Sequence, residues 1–375
     1  MVPLHTLALL FLRLGVTSFG GPAAHIGLLH YEVVQRRRWF SDSEFAEMIA
    51  VTNLIPGPNS TEMAIHVGRR VAGWPGFFVA GVCFILPAAL IVGALAAVYV
   101  RYGRTPDLRS VLDGVTPVII AVIAHATLSI ARSTLARRTS WAIAAAAMAL
   151  ALAGVNELLL LALGGLAAIG AARLVGWSLA LAAMPSLGAM TVASAGPAVP
   201  LSGLLLFFLK IGSVLFGSGY VLIAFLRADL VERWAWLTDQ QLLDAIAVGQ
   251  VTPGPLFTTA TFIGYVLRGP EGALLATIGI FLPAFVFVAL TQPVLPRLRR
   301  SPVATAFLRG VVAASLGLMA AVAVALGLAT LTSPIPILSA AAALLVLARW
   351  KINSVWLIVA GALVGWGARG FRGFM

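Results

Sequence analysis

The chain has few charged residues and only one cysteine. Asp, Glu, Lys and Arg together make up 10% of its 375 residues, and Cys83 is the single cysteine. One cysteine excludes an intramolecular disulfide and a thiolate metal cluster. So low a charge content also excludes an ordinary soluble protein of this length, because such a protein needs far more polar surface to cover its core. Most of the surface must therefore face something other than water.

The usual sequence motifs of enzymes are missing as well. There is no Walker A sequence, which argues against ATP hydrolysis by this chain. There is no His-Glu-x-x-His motif and no Cys/His group with metal-ligand spacing, so we predict no catalytic residue, no metal and no cofactor. The chain has only 13 acidic residues, mostly in predicted loops, which disfavours a membrane-embedded enzyme.

Apolar residues, by contrast, are abundant. Hydrophobic residues make up 61% of the chain, and the mean hydropathy is +1.01. A bilayer span needs about 20 consecutive apolar residues, and residues 76–100, 201–225 and 272–290 reach or approach that length. We therefore predict an all-α, polytopic membrane protein with about 12–13 spans and the lipid bilayer as a partner.

The net charge of +12 arises from arginines in short polar stretches, such as residues 36–38, 69–70, 137–138 and 297–300. Basic loops fix the orientation of membrane proteins in the bilayer. We interpret the positive charge as loop anchoring and predict no nucleic-acid partner. A cationic surface would in addition concentrate anions near the protein.

The chain contains two copies of one unit. Residues 11–15 (FLRLG) reappear as residues 208–212 (FLKIG), and Pro-Gly-Pro at 56–58 reappears at 253–255, both with an offset of 197 (208 − 11 and 253 − 56). After one deletion the offset becomes 196, which pairs Gly68 with Gly264. This constant register indicates duplication. We predict an N-terminal repeat (1–177), a connecting segment or extra span (178–200) and a C-terminal repeat (201–375). An odd number of spans per repeat would invert the second copy.

Each repeat contains a predicted helix start followed by a predicted helix break. The helix starts are capping boxes, Ser41-x-x-Glu44 and Thr238-x-x-Gln241. The breaks are the Pro-Gly-Pro elements, because proline removes a backbone N–H and glycine adds backbone freedom. Broken backbone in a membrane is tolerated only inside protein or beside a water-filled cavity. Matching breaks in two halves point to a transporter's binding site, although a kink needed only for packing is the alternative.

We predict that the substrate-binding residues surround these breaks, where restarting helices would present free amides to an anion. Polar and backbone groups beside the breaks are supplemented by a glycine pair and one basic residue in each repeat. In the first repeat they are Arg13, Gly20, Gly21, Asn53, Pro56, Gly57, Pro58, Asn59 and Ser60. In the second repeat they are Lys210, Gly217, Gly219, Gln250, Thr252, Pro253, Gly254, Pro255 and Thr258.

Two of these groups have a plain structural alternative. Arg13 and Lys210 lie at equivalent places in apolar helices, where a charge usually faces a cavity or a partner, and a dianion needs such cations. They could instead snorkel from the helix ends. The glycine pairs could open a helix toward a ligand, or they could only allow close helix contact.

Glu62 and His66 set the first repeat apart. Their i, i+4 spacing places them on one helix face, whereas their counterparts Thr259 and Ile263 cannot titrate. A Glu–His pair could exchange a proton during transport, so we predict a proton-coupling role. A structural hydrogen bond is the alternative.

The paired glycine and Pro-Gly-Pro elements resemble those of the chromate ion transporter family, over residues 11–22, 39–58, 208–219 and 236–255. The resemblance covers nearly the whole chain and is to the long-chain, two-domain members. It implies repeats of opposite orientation, export of chromate with resulting chromate resistance, and a bacterial inner membrane. Sulfate is a chemical look-alike of chromate. Arg69-Arg70 departs from the second repeat, where Tyr265-Val266 stand, so the halves are not expected to contribute equally.

The leading hypothesis is a secondary transporter that carries chromate or a sulfate-like oxyanion by alternating access. The alternatives are an uptake carrier for sulfate or another oxyanion, an anion channel and, less favoured, a membrane-embedded enzyme. The proton is the candidate coupling ion. A homodimer is left open.

Overall fold

The protein is described by a computed structural model, which covers residues 2–19, 21–53, 55–103, 105–172, 199–215, 221–350 and 352–372. Throughout these ranges the regular structure is helical, with no β-strand. Gly20, Gly217 and Gly219, which we predicted to bind substrate, lie outside the described residues, as does most of the connecting segment (178–198).

Both repeats follow the same order of elements. The first has α1 (Leu4–Thr17), α2 (Gly21–His30) with a π-helical turn (Tyr31–Arg36), α3 (Asp42–Thr52), α4 (Asn59–Tyr102), α5 (Pro106–Thr134), α6 (Arg138–Leu152) and α7 (Glu157–Ala171). The second has α8 (Leu201–Val214), α9 (Leu222–Leu226) with a π-helical turn (Arg227–Arg233), α10 (Asp239–Val251), a 3₁₀ turn (Leu256–Thr258), α11 (Thr259–Arg300), α12 (Pro302–Thr330), α13 (Pro334–Arg349) and α14 (Ser354–Arg372).

Four of these helical stretches are long and apolar enough to cross a bilayer: Asn59–Tyr102, Pro106–Thr134, Leu256–Leu290 and Pro302–Thr330. Six shorter apolar helices accompany them in the described part of the chain. The prediction of an all-α, multi-pass membrane protein with two related halves is confirmed. The number of spans and the inversion of the second repeat stay predictions.

The two predicted capping boxes begin α3 and α10. The Ser41 hydroxyl accepts a hydrogen bond from the Glu44 N–H (3.3 Å), and the Glu44 carboxylate accepts one from the Ser41 N–H (2.8 Å). Thr238 and Gln241 make the same pair of bonds at 3.2 and 2.9 Å. The Ser41 backbone N–H, together with the Ser41 hydroxyl, lowers the pKa of Glu44. Both predicted helix starts are therefore confirmed.

The helices α4 and α11 are each two helices folded back on one another. Helical geometry is lost at Gly73 and at Gly269, both with φ of +64°. A Cβ on Gly68 would lie 2.2 Å from the carbonyl oxygen of Gly76, although residues eight apart in a straight helix are about 12 Å apart. The sequence analysis did not predict this hairpin. The bend divides each helix into a short arm, which directly follows the Pro-Gly-Pro element, and a long arm, which folds back along the short arm.

Close packing holds the repeats together as well as each repeat internally. Within the first repeat α1 lies on α4, and a Cβ on Gly15 would be 2.8 Å from the Phe84 carbonyl oxygen. Between repeats, α12 packs on α6 and α7, and α14 packs on α5. Gly164 and Gly310 meet backbone to backbone in that interface. Small residues permit such approach between membrane helices, so the halves form one interlocked body.

Candidate functional site

The two Pro-Gly-Pro elements each bond to the opposite repeat. The Gly57 N–H donates to the carbonyl of Leu215 at the end of α8 (2.7 Å), and the Gly254 N–H donates to the carbonyl of Ser18 at the end of α1 (2.8 Å). Leu215 and Ser18 are related by the same offset of 197 as the two glycines. The bonds are therefore reciprocal, and both breaks lie at the interface between the repeats.

A side chain at either glycine would displace a neighbouring group. A Cβ on Gly254, where φ is +90°, would lie 2.6 Å from Ala88 Cβ. A Cβ on Gly57, where φ is +139°, would lie 2.3 Å from Oε1 of Glu62 and 3.7 Å from Ala284 Cβ. Ala88 and Ala284 are themselves repeat counterparts. Each break thus seats against the long arm of the other repeat's hairpin.

The helix restart of the first repeat carries buried polar groups that lack partners. The amides of Thr61 and Glu62 donate to the Pro58 carbonyl (2.8 and 3.0 Å). The amides that precede them at the start of a helix have no hydrogen-bond partner within that helix. The Thr61 hydroxyl, both carboxyl oxygens of Glu62 and Nε2 of His66 are buried without a hydrogen bond to any described residue. Because buried polar groups are normally paired, this cluster is a candidate site for binding a ligand or a proton.

The amide side chains predicted beside this break are partly engaged with each other. Nδ2 of Asn59 donates to Oδ1 of Asn53 at 2.9 Å, which ties the end of α3 to the start of α4. The other amide atom of Asn59, Oδ1, is buried and has no partner in the described part of the chain. Ser60, next in the chain, is only 6% exposed. Gly21 opens α2 with φ of +80°.

The restart of the second repeat is closed by its own hydroxyls. Thr258 donates to the Pro255 carbonyl (2.8 Å), Thr259 donates to the Leu256 carbonyl (2.8 Å), and Thr252 donates to the Val248 carbonyl (2.9 Å). Gln250 is also buried beside this break. The two restarts therefore share a backbone design but differ in the polar groups they leave open.

The two basic residues predicted to bind substrate are paired with buried acids. Arg13 bonds to Glu32, and Nζ of Lys210 lies 2.8 Å from Oδ2 of Asp229. Each acid is 1% exposed and sits in a π-helical turn, where Arg36 or Arg233 adds a second cation. The charges of Arg13 and Lys210 are thus compensated in this structure, and their role toward an anion stays a prediction.

The sequence analysis missed both acids, although a signal was present. Glu32 and Asp229 are related by the offset of 197, and each lies 19 residues after its basic partner (32 − 13 and 229 − 210). A duplicated acid at fixed distance from a duplicated cation predicts an ion pair.

We expect Lys210→Met to destabilise the protein more than Arg13→Met. Among the described residues, Asp229 without Lys210 keeps one ion-pair partner, Arg233, whereas Glu32 without Arg13 keeps both Arg36 and Arg37. Loss of one partner from a buried pair costs up to about 3–5 kcal/mol; we expect about 2 kcal/mol for Lys210 because its side chain is partly exposed. Unfolding of the purified protein in detergent measures the difference.

The control for this comparison is Arg109→Met, which removes an exposed i, i+4 pair with Asp113 (3.2 Å). Such a pair contributes less than about 1 kcal/mol. Equal unfolding free energies for Lys210→Met and Arg109→Met would contradict the structural role of the buried pair.

No group of three or more His, Cys, Asp or Glu side chains could hold a metal ion within the ranges that the structure describes. The groups at the restarts are instead hydroxyls, amides, one carboxyl and one imidazole. Hydroxyls and amides can donate hydrogen bonds to an anion, and the carboxyl and imidazole can carry a proton.

Taken together, a duplicated helical membrane fold with two interlocked helix breaks defines a membrane transporter rather than an enzyme. Comparison with known proteins gives the family. The chain matches the chromate transporter family over residues 5–170 and 202–366, once in each half, and belongs to that family.

Three relatives illustrate the similarity. The chain is 33% identical to a chromate transport protein of Cupriavidus metallidurans, over 96% of this chain and 92% of the relative. It is 37% identical to a chromate transport protein of Pseudomonas aeruginosa, over 95% and 90%. It is 32% identical to a probable chromate transport protein of Synechococcus elongatus, over 84% and 83%. No solved structure shows a significant match.

Proposed function

We propose that this chain exports chromate, or a related tetrahedral oxyanion, from the cytoplasm across a bacterial inner membrane and thereby confers chromate resistance. The observation that carries the proposal is the reciprocal contact of the two Pro-Gly-Pro breaks, which join the repeats through Gly57 and Gly254. Membership of the chromate transporter family supports chromate as the substrate. We take the repeats as residues 1–177 and 201–375, joined by residues 178–200.

The anion would bind where the broken helices restart. A helix N-terminus offers free amides and the positive end of the helix dipole, both of which suit a dianion. The hydroxyls of Ser60 and Thr61 lie in the first turn of α4, and the Thr61 hydroxyl has no hydrogen-bond partner among the described residues. Arg13 and Lys210 would contribute to anion binding if they exchanged their carboxylate partners for the substrate during the cycle.

Movement would come from the interface between the repeats. Each repeat holds the other's break by one backbone hydrogen bond, from Gly57 to Leu215 and from Gly254 to Ser18. Rocking of one repeat against the other, with the breaks as the fixed contact, would expose the site first to one side and then to the other. A proton carried by Glu62, with His66 one turn further on, would drive this cycle.

The test is flux of radiolabelled chromate and sulfate in vesicles, with and without a pH gradient. We expect chromate to move, and to accumulate only when the gradient is present. Arg13→Ala, Lys210→Ala and Glu62→Gln should each reduce the flux. Conduction without coupling would indicate an anion channel, and flux of sulfate alone into the cytoplasm would indicate an uptake carrier. If all three variants transport like the parent protein, the assignment of the site is wrong.

A further inference from the structure

A small pocket lies in the first repeat between α1, α2 and α4. Its polar walls are Ser18, His25 and Ser60, and its apolar walls include Phe11 and Phe84. The three polar residues are 3%, 4% and 6% exposed. Among the described residues the Ser18 hydroxyl has no hydrogen-bond partner, and the His25 imidazole has none other than the backbone carbonyl of Ser18. A buried imidazole that leaves a ring nitrogen unpaired is costly unless something else binds it.

The second repeat shows that the fold does not need these polar groups. The counterparts of Ser18, His25 and Ser60 at the offset of 197 are Leu215, Leu222 and Phe257. All three counterparts are buried, at 2%, 1% and 3% exposure. The same helices therefore pack around an apolar core in one repeat and around a polar pocket in the other. A merely structural role for the polar residues would predict similar residues in both.

The pocket adjoins both helix breaks. The carbonyl of Ser18 accepts the hydrogen bond from Gly254, in the break of the second repeat. Ser60 lies in the first turn of α4, directly after the break of the first repeat. The positive end of the α4 dipole thus points toward the same pocket as the Ser18 hydroxyl and the His25 imidazole.

We propose that Ser18, His25 and Ser60 form an oxyanion-binding subsite, present once per chain and only in the first repeat. This inference rests on the proposed transport function and specifies which residues contact the anion. The two hydroxyls and an imidazole N–H donate to oxygen atoms of a tetrahedral dianion. No acidic side chain lines the pocket in the part of the chain that the structure describes. Glu62 is directed instead at Gly57.

The pocket in this conformation has room for about one water molecule. A tetrahedral oxyanion therefore requires its walls to separate. His25 is carried by α2, a ten-residue helix, and Ser18 lies at the end of α1. Displacement of α2 from α4 would widen the pocket on the side of the Pro-Gly-Pro breaks. Closure around the anion would bring the imidazole and the hydroxyls back into contact with it.

The test transplants the second repeat's residues into the first. Ser18→Leu and His25→Leu copy side chains that the equivalent helices already accommodate, and His25→Gln keeps a hydrogen-bond donor. We expect the leucine variants to weaken sulfate and chromate binding by about tenfold or more, with a smaller loss for His25→Gln. Binding is measured as the ligand concentration that raises the melting temperature of the detergent-purified protein, and radiolabelled flux is measured alongside it.

The matched control is Leu222→Met, a volume-conserving change at the counterpart of His25, which should leave anion binding unchanged. Melting temperatures without ligand show whether each variant is folded. If a leucine variant does not fold, Ser18→Ala and His25→Gln take its place in the test. If the parent binds and moves oxyanions while the variants bind within twofold of it, the pocket holds only water and the subsite is wrong, but the transport function stands. If the parent moves no oxyanion, both proposals fail.

Discussion

Alanine at Gly254 is expected to abolish transport and to lower the free energy of unfolding by about 3 kcal/mol or more, and alanine at Gly57 to abolish transport with a smaller loss of stability. The new Cβ would lie 2.3 Å from Oε1 of Glu62 in the first case and 2.6 Å from Ala88 Cβ in the second. Both glycines also have positive φ, which alanine adopts only with strain. Gly254→Ala would push its break away from the opposite repeat and weaken its hydrogen bond. Gly57→Ala would instead displace the Glu62 carboxyl, because Ala284 Cβ lies at an ordinary contact distance of 3.7 Å. Denaturant unfolding and vesicle flux measure the two effects.

Gly154→Ala supplies the control for these variants. Gly154 lies between α6 and α7 with φ of +82°, and a Cβ there would meet nothing within 4 Å. The substitution Gly154→Ala should therefore lower the free energy of unfolding by about 1 kcal/mol through backbone strain alone, and it should leave flux intact. If Gly57→Ala and Gly254→Ala behave like Gly154→Ala, the contact between the breaks does not hold the repeats together.

The features that the sequence predicts well are those with a local or periodic cause. Helical membrane segments follow from apolar runs, since the hydrogen bonds of a helix lie within its own segment. The capping boxes at Ser41 and Thr238 follow from residues three apart. The duplication follows from a register that repeats over the whole chain. None of these requires knowledge of which helices are neighbours.

The features that the sequence analysis missed depend on contacts between distant residues. The hairpins at Gly73 and Gly269 form because Gly68 packs on Gly76, and Gly264 on Gly272, and a glycine pair alone does not say whether its partner is on the same helix. The bonds from Gly57 to Leu215 and from Gly254 to Ser18 cross between repeats. Such contacts appear only when the packing is known.

Comparison of the two repeats residue by residue also points to the polar pocket. Ser18 and His25 attract no notice as single residues in an apolar chain. Compared with Leu215 and Leu222, however, they are polar where the same fold tolerates leucine. The same comparison singled out Glu62 and His66 against Thr259 and Ile263. In this chain the differences between the repeats point to candidate polar groups of the first repeat, and the similarities point to the two helix breaks.

Glu62→Gln is expected to reduce chromate accumulation driven by a pH gradient by about a hundredfold, the range of one lost proton-transfer group. The Glu62 side chain is fully buried, and neither of its oxygens has a hydrogen-bond partner within the ranges that the structure describes. An isolated carboxylate is costly inside a membrane protein. We therefore expect the Glu62 carboxyl to bind and release a proton as its surroundings change. Glutamine keeps the shape of the side chain but cannot do this. Reconstituted vesicles with an imposed gradient give the measurement.

Exchange of labelled for unlabelled chromate without a gradient separates this role from a structural one. Exchange needs the anion site and the movement of the repeats but no net proton transfer, so Glu62→Gln should retain it. Glu44→Gln is the matched control, because Glu44 is an exposed capping residue and Gln241 fills the same place in the second repeat. Its accumulation should equal that of the parent. Loss of exchange and accumulation together in Glu62→Gln would show that the carboxyl holds the helix break in place rather than carrying the proton.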